Sequence, residues 1–178
     1  FTNANGITGN WDSVNGVLTL SGSALVEDYQ TALRSVTYQN TSENPDDTTP
    51  RTITWVVTDG TEPSADATST INITASNDAP VVTAGATLPY DENDPATVID
   101  STVTVADDDN TNLTSATVTI SSGFQPDEDV LAFTNANGIT GNWDSVNGVL
   151  TLSGSALVED YQTALRSVTY QNTSENPD

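Results

Sequence analysis

Asparagine and aspartate side chains cluster at two places about thirty residues apart, and they offer only oxygen ligands. Asn77 and Asp78 begin an Asn-Asp-Ala-Pro sequence, and an acidic run from Asp107 to Asp109 follows it. Carboxylate and amide oxygens suit hard divalent cations such as Ca²⁺ and Mg²⁺. Because Cys, His and Met are absent, thiol nucleophiles, imidazole bases and ordinary zinc or iron sites are excluded. Divalent cation binding is therefore the first chemistry that the residue types favour.

The charge of the chain points in the same direction. It has 25 acidic residues against three basic ones, and its formal net charge is −22. Nucleic acid and anionic membrane surfaces are poor partners for such a chain, since phosphate binding needs a basic face. Repulsion between the carboxylates must be screened by salt or neutralised by cations. No apolar run approaches the ~20 residues of a membrane span, so we also expect no membrane insertion.

An internal repeat is the strongest feature of the sequence. Phe1–Asp46 recurs unchanged as residues 133–178, which sets a period of 132 residues. Identity that extends to loop positions indicates recent duplication and predicts further copies in an array. The Asn-Asp-Ala-Pro sequence, residues 77–80, has the composition of a linker between repeats. We therefore predict that residues 1–79 are the C-terminal part of one repeat and residues 80–178 the N-terminal part of the next.

Alternating Thr, Val and Ile residues predict β-strands separated by turns. Asn15-Gly16 indicates a hairpin turn, and Asp59-Gly60 indicates a second turn. Leu25 to Leu33 has helical spacing of its apolar residues and predicts a short helix across one end of a sandwich. The fold class is thus predicted to be all-β, with β-sandwich domains in tandem and one short helix per repeat. The predicted strands are Val17–Leu20, Arg51–Thr58, Ala67–Thr74, Thr97–Val105 and Ser115–Ser121.

The aromatic residues are expected to pack in the core. Trp11, Tyr29, Tyr38 and Trp55 lie in or beside the predicted elements. Large aromatic side chains dominate the packing energy of small cores. We predict core packing for these four, in preference to a ligand-binding platform.

Six short segments form a combined pattern: Asp129–Phe133, Asn142–Asp144, Gly148–Leu152, Tyr161–Tyr170, Thr58–Gly60 and Asn77–Pro80. This combination, which covers nearly the whole chain, resembles the cadherin-like repeats of giant bacterial adhesins and type I secreted proteins. The resemblance is to the group related to chondroitin-sulfate-proteoglycan repeats. It implies seven-stranded Greek-key sandwiches of cadherin or immunoglobulin type, joined end to end, with Ca²⁺ held where two domains meet.

The same resemblance proposes the ligands. In cadherin-like proteins an Asp-x-Asp pair beyond the linker's Asn-Asp chelates the same ions, and Asp107 and Asp109 look like that pair. Asp59 would lie at the lower end of the preceding domain and complete the shell. Glu92 resembles the early-strand Glu that cadherins direct towards the junction after their own domain. The predicted metal ligands are therefore Asn77, Asp78, Asp107, Asp109, Asp59 and Glu92, and the predicted cofactor is Ca²⁺.

We therefore expect a structural extender repeat of a calcium-stiffened extracellular adhesin or surface fibre, active in bacterial cell-surface adhesion, biofilm or matrix assembly. Its expected partners are adjacent repeats of the same polymer and other copies of the chain. A carbohydrate- or ice-binding module is the alternative, because rows such as Thr117-x-Thr119 can order water or sugar, although alternating Thr is also ordinary on an exposed sheet. An enzyme is not expected. A carboxylate acid–base pair needs a pocket and one raised pKa, and a sandwich repeated without variation offers no obvious cleft.

Overall fold

The structure, a computed structural model, describes residues 1–175. It confirms the predicted fold class, because small antiparallel sheets in a sandwich-like arrangement dominate and only two short helices occur in the described residues. The chain forms two compact units, and the boundary between them lies between Ser42 and Glu43. The strands are β1 (Thr8–Asp12), β2 (Val17–Ser21), β3 (Arg51–Trp55), β4 (Ala67–Ile71), β5 (Val81–Thr83), β6 (Thr97–Val98), β7 (Thr104–Ala106), β8 (Asn112–Thr119), β9 (Asp129–Ala132), β10 (Thr140–Asp144), β11 (Val149–Leu157) and β12 (Thr169–Asn172), and the helices are α1 (Val26–Arg34) and α2 (Val158–Arg166).

The second unit contains the main hydrophobic core. Its sheets have the strand orders β10-β11-β8 and β6-β12-β9. Alternate residues of β11 point into the core, as the period of two requires, so that Leu150 and Leu152 are 2% and 0% exposed. Helix α2 adds Tyr161 and Ala164, which lie three residues apart on one helix face. The core cluster consists of Leu131, Ile139, Leu150, Leu152, Ala156, Tyr161, Ala164 and Val168.

The first unit repeats the local structure without the same burial. Strands β1 and β2 form a two-stranded sheet, followed by the predicted helix as α1. Trp11 is 60% exposed and Tyr38 is 45% exposed, so the prediction of core packing is wrong for these two residues. Their sequence equivalents, Trp143 and Tyr170, pack against the core of the second unit. The strands and loops that cover those equivalents come from residues 80–132, which have no counterpart within residues 1–42.

The predicted strand over Thr97–Val105 is divided into β6 and β7 by a buried carboxylate. Both oxygens of Asp100 are used: Oδ2 accepts from the backbone N–H groups of Gly85 and Ala86, each at 3.0 Å, and Oδ1 accepts from the N–H and hydroxyl of Thr102 at 2.7 and 2.6 Å. An aspartate that bonds the backbone two residues on forms a turn. This turn interrupts the strand.

The same hydrogen bonds make Asp100 a source of pH-dependent stability. The Thr102 hydroxyl, together with the N–H groups of Gly85, Ala86 and Thr102, holds the pKa of Asp100 well below its usual range. The contribution of a carboxyl whose pKa is lowered on folding is complete above its unfolded pKa of about 3.9, and it is lost as pH falls through the folded pKa. We expect Asp100→Asn to lower the free energy of unfolding at pH 7, because the amide nitrogen then faces hydrogen-bond donors. Urea unfolding is repeated at pH values from about 5 down to about 2. The difference in the free energy of unfolding between Asp100→Asn and the parent chain should shrink over this range.

Asp108→Asn provides the control, since it removes one negative charge from an exposed loop position. It should leave the pH dependence of unfolding close to that of the parent. The assignment of pH-dependent stability to Asp100 would be contradicted if the difference in unfolding free energy between Asp100→Asn and the parent stayed constant across the acid range.

The pairing of β5 with β7 positions the linker. Val81 lies opposite Ala106 in this antiparallel pair, so the residues before β5 and those after β7 meet at one end of the ladder.

Within residues 1–175, neither helix has the length and hydropathy required to cross a membrane.

Candidate functional site at the linker

The linker and the acidic loop are neighbours in the structure. The pairing of Val81 with Ala106 brings residues 77–80 beside residues 107–110. Strand β5 leaves the linker and strand β7 returns to it, so the acidic loop lies beside the linker. The region consisting of residues 77–80 and 107–110 is called the linker–loop contact below.

Hydrogen bonds tie the linker to the loop. The backbone N–H of Asp78 donates to the carboxylate of Asp109, and the side-chain amide of Asn110 donates to Oδ1 of Asn77 at 2.9 Å. The amide of Asn44 donates to the backbone carbonyl of Asp109 at 3.3 Å. Segments distant in sequence are therefore held at one loop.

Asp107 shapes the loop that makes these bonds. Its Oδ1 accepts from the backbone N–H groups of Asp109 at 3.0 Å and of Asn110 at 2.7 Å. This local pattern folds an aspartate carboxylate over the next two or three residues and stabilises a turn. The turn presents Asp109 and Asn110 to the linker.

Four of the six predicted ligands therefore meet, namely Asn77, Asp78, Asp107 and Asp109. Their hydrogen bonds use one carboxylate oxygen of Asp107 and one of Asp109 for N–H groups. In the described part of the chain, no three acidic side chains converge closely enough to hold a metal ion. Ca²⁺ takes six to eight oxygen ligands, so these residues form a partial oxygen shell.

The other two predicted ligands lie outside the linker–loop contact. Asp59 is in the connection between β3 and β4, where its Oδ1 accepts from the N–H groups of Thr61 and Glu62 at 2.8 and 3.2 Å. These bonds lower the pKa of Asp59 and match the predicted turn. Glu92 lies in the turn between β5 and β6, in which Asn93 has a φ of 66°. Metal binding by Asp59 and Glu92 stays a prediction.

Sequence reasoning missed two buried carboxylates, Asp100, described above, and Asp129. Asp129 belongs to an acidic run typical of solvated loops, yet it is buried. It accepts from the backbone N–H of Gln125 at 2.8 Å, the hydroxyl of Tyr170 at 2.6 Å and the side-chain amide of Asn172 at 3.1 Å. Burial raises the pKa of Tyr170, and its hydrogen bond to Asp129 adds to that shift. The available signal was position, because Asp129 is two residues before Leu131 and therefore shares its inward face of β9.

A comparison of this acidic, all-β chain with known proteins identifies a relative. The chain is 35% identical to halomucin of Haloquadratum walsbyi over 108 residues, which are 58% of this chain and 1% of halomucin. The chain thus spans about one hundredth of the length of that relative. No family model matches the chain, and no solved structure matches it. The cadherin-like class and the bacterial source stay predictions.

Proposed function

We propose that this chain is a spacer segment of a long extracellular or cell-surface protein, in which identical sandwich-like domains follow one another. The observation that carries the proposal is the exact recurrence of Phe1–Asp46 at a period of 132 residues. The likeness to halomucin, which is far longer than this chain, supports a surface protein. Adhesion and biofilm or matrix assembly are the wider roles that we propose for the whole polymer.

The proposed mechanism is mechanical. A linker of a few residues would let successive domains swivel, because short flexible segments sample many directions. The bonds from Asp78 to Asp109 and from Asn110 to Asn77 restrict that freedom. A repeat with a restrained linker passes its orientation to the next repeat and extends the polymer.

We propose that Ca²⁺ strengthens this restraint at the linker–loop contact. Asp78, Asp107 and Asp109 would hold the ion, and the amide oxygen of Asn77 would add a neutral ligand. The all-oxygen composition of the contact supports a hard cation, and the net charge of −22 favours any divalent cation that reduces repulsion. Since the carboxylates described here form a partial shell, ion binding is expected to draw them closer together.

Thermal unfolding of the whole chain in millimolar Ca²⁺ and in excess chelator tests this proposal. At a calcium concentration a hundredfold above the dissociation constant, binding stabilises a folded protein by about 2.7 kcal/mol. For a chain of this size that corresponds to a rise of about 5–10 °C in the unfolding midpoint. Amide hydrogen exchange at residues 77–80 and 107–110 should slow in parallel.

Matched variants locate the effect. The double variant Asp107→Asn/Asp109→Asn should lose most of the calcium response. Asp66→Asn/Asp127→Asn removes the same two charges at exposed positions and should retain the response. Equal responses in both variants, or no response in the parent chain, would reject calcium binding at the linker–loop contact.

A further inference from the structure

The chain contains four Asn-x-Ser/Thr sequences, which begin at Asn40, Asn72, Asn112 and Asn172. With any middle residue other than proline, this is the acceptor sequence for N-linked oligosaccharides in exported proteins. Asn40 and Asn172 occupy the same position of the repeat. The structure places Asn112 and Asn172 in very different surroundings, and this difference ranks them as acceptors.

Asn112 and Thr114 lie on the outward face of β8. Leu113, between them, packs against the core cluster, and side chains alternate between the two faces of a strand. Both Asn112 and Thr114 are exposed. Oδ1 of Asn112 accepts a hydrogen bond of 3.3 Å from the hydroxyl of Thr111, whereas its Nδ2 donates to no group among residues 1–175. The amide nitrogen that would carry a sugar is therefore available on an exposed face.

The exposure of this face does not depend on what pairs with β8. Strand β8 is at the edge of the sheet with the order β10-β11-β8. A further strand at that edge would bond to backbone groups in the plane of the sheet, while the side chains of β8 project above and below that plane. A group attached to Asn112 would therefore displace no packed side chain of the repeat.

Asn172, in contrast, is held in the packing of its repeat. It is half-buried, and its Nδ2 donates to the buried carboxylate of Asp129 at 3.1 Å. Its Oδ1 accepts from the N–H of Ser174 at 2.8 Å, and its backbone N–H donates to the hydroxyl of Tyr90 at 3.2 Å. A sugar on Nδ2 would separate Asn172 from Asp129 and leave a buried carboxylate with one donor fewer, which is costly.

We propose that Asn112 carries an N-linked oligosaccharide and that Asn172 stays unmodified, so that every repeat of the polymer bears a sugar on β8. This inference rests on the proposed function, because an exported chain is the kind that meets the glycosyl transferase. It also deepens that function, since it adds a bulky, hydrated group two residues beyond the linker–loop contact. The modification would give the polymer a sugar coat that repeats every 132 residues.

The transfer requires a lipid-linked oligosaccharide diphosphate as co-substrate. Nδ2 of Asn112 attacks the anomeric carbon of the sugar, and a C–N bond forms while the bond from that carbon to the diphosphate oxygen breaks. The lipid diphosphate leaves with the bonding electrons, and one amide proton passes to a base of the transferase. Because Asn112 pairs with Leu157 in the ladder of β8 and β11, the transfer precedes folding. Folding then accommodates the sugar at Asn112 and rejects it at Asn172.

Peptide mass spectrometry of the polymer, recovered from surface and interior fractions of the producing cells, tests this proposal. Cleavage after acidic residues releases residues 110–127 and 161–175, each with one acceptor sequence. Residues 29–43 give the same peptide as residues 161–175, so one measurement covers that position in both copies. The 110–127 peptide should carry sugar in most copies, and fragmentation should place it on Asn112. The 161–175 peptide should be unmodified.

Two matched variants separate acceptor recognition from other causes of modification. Thr114→Val removes the acceptor sequence and should abolish the sugar, whereas Thr114→Ser preserves it and should retain the sugar. In the chain produced without sugar, Asn112→Gln should leave the urea midpoint unchanged, because the side chain is exposed. Asn172→Gln should lower the midpoint, because Asp129 would lose a correctly placed donor.

The proposal is overturned if the 110–127 peptide is unmodified, if its sugar is attached to a hydroxyl group, or if the 161–175 peptide is modified to the same extent. A polymer found at the cell surface with an unmodified 110–127 peptide would reject the oligosaccharide and leave the spacer function intact. A polymer confined to the cell interior would reject both.

Discussion

Leu152→Ala is expected to lower the free energy of unfolding of the second unit by about 3–5 kcal/mol, whereas the identical change Leu20→Ala should cost less than about 1 kcal/mol. Leu152 is 0% exposed in the core cluster, so its truncation loses transfer free energy and leaves a cavity. Leu20 lies on a two-stranded sheet and remains partly in water. The two residues share their local sequence, and the difference therefore measures tertiary burial alone.

Urea unfolding that is monitored by the fluorescence of Trp143, in the Trp11→Phe/Trp55→Phe background, reports on the second unit. Leu20→Ala in the same background is the matched control. Similar losses from both substitutions would mean that the first copy is as well covered as the second.

Gly154→Ala is the second change from which we expect a large effect, about 3 kcal/mol or more. Gly154 has a φ of 141°, and a Cβ atom there would lie 2.2 Å from the backbone oxygen of Gly138. Backbone cannot move aside as a flexible side chain can. The close approach also sets the carbonyl of Gly154, which accepts a 2.6 Å hydrogen bond from the buried hydroxyl of Tyr161. Alanine would therefore displace a contact between the hairpin and α2.

Gly138→Ala separates the collision from the cost of a positive φ. Gly138 has a φ of 77°, but a Cβ atom there would meet nothing within 4 Å. The Gly138→Ala substitution should lower the free energy of unfolding by about 1–2 kcal/mol, the usual penalty of left-handed backbone for a residue with a Cβ. Thermal and urea unfolding of both variants are compared with the parent chain. A larger loss of unfolding free energy in Gly138→Ala than in Gly154→Ala would contradict the collision assigned at Gly154.

Sequence reasoning succeeded where the decisive contacts are local. The Asn15-Gly16 signal predicted the turn of the β1–β2 hairpin, and the apolar spacing from Leu25 predicted α1. It failed for Asp100 and Asp129, because their partners lie up to 43 residues away along the chain. The proximity of the linker and the acidic loop was predicted in outline through the family resemblance, which assigned residues of both to one cation site. The use of its carboxylates for backbone N–H groups was not, since that depends on atomic positions.

The repeated segment separates these two kinds of information within one molecule. Asp12 and Asp144 accept the same hydrogen bonds in their turns, and this lowers the pKa of each. The two hairpins have the same register, and both helices span nine residues. These features need only bonds between residues close in the chain, so the sequence by itself determined them.

Burial, strand length and the addition of a third strand differ between the two copies. They depend on whether residues such as those of β8 lie alongside, and a neighbour distant in the chain is supplied only by the tertiary fold. The hydrophobic free energy of a leucine follows the area removed from water, not the identity of the residues beside it in sequence. The tertiary structure alone therefore decided that Leu152 is core while Leu20 remains partly exposed.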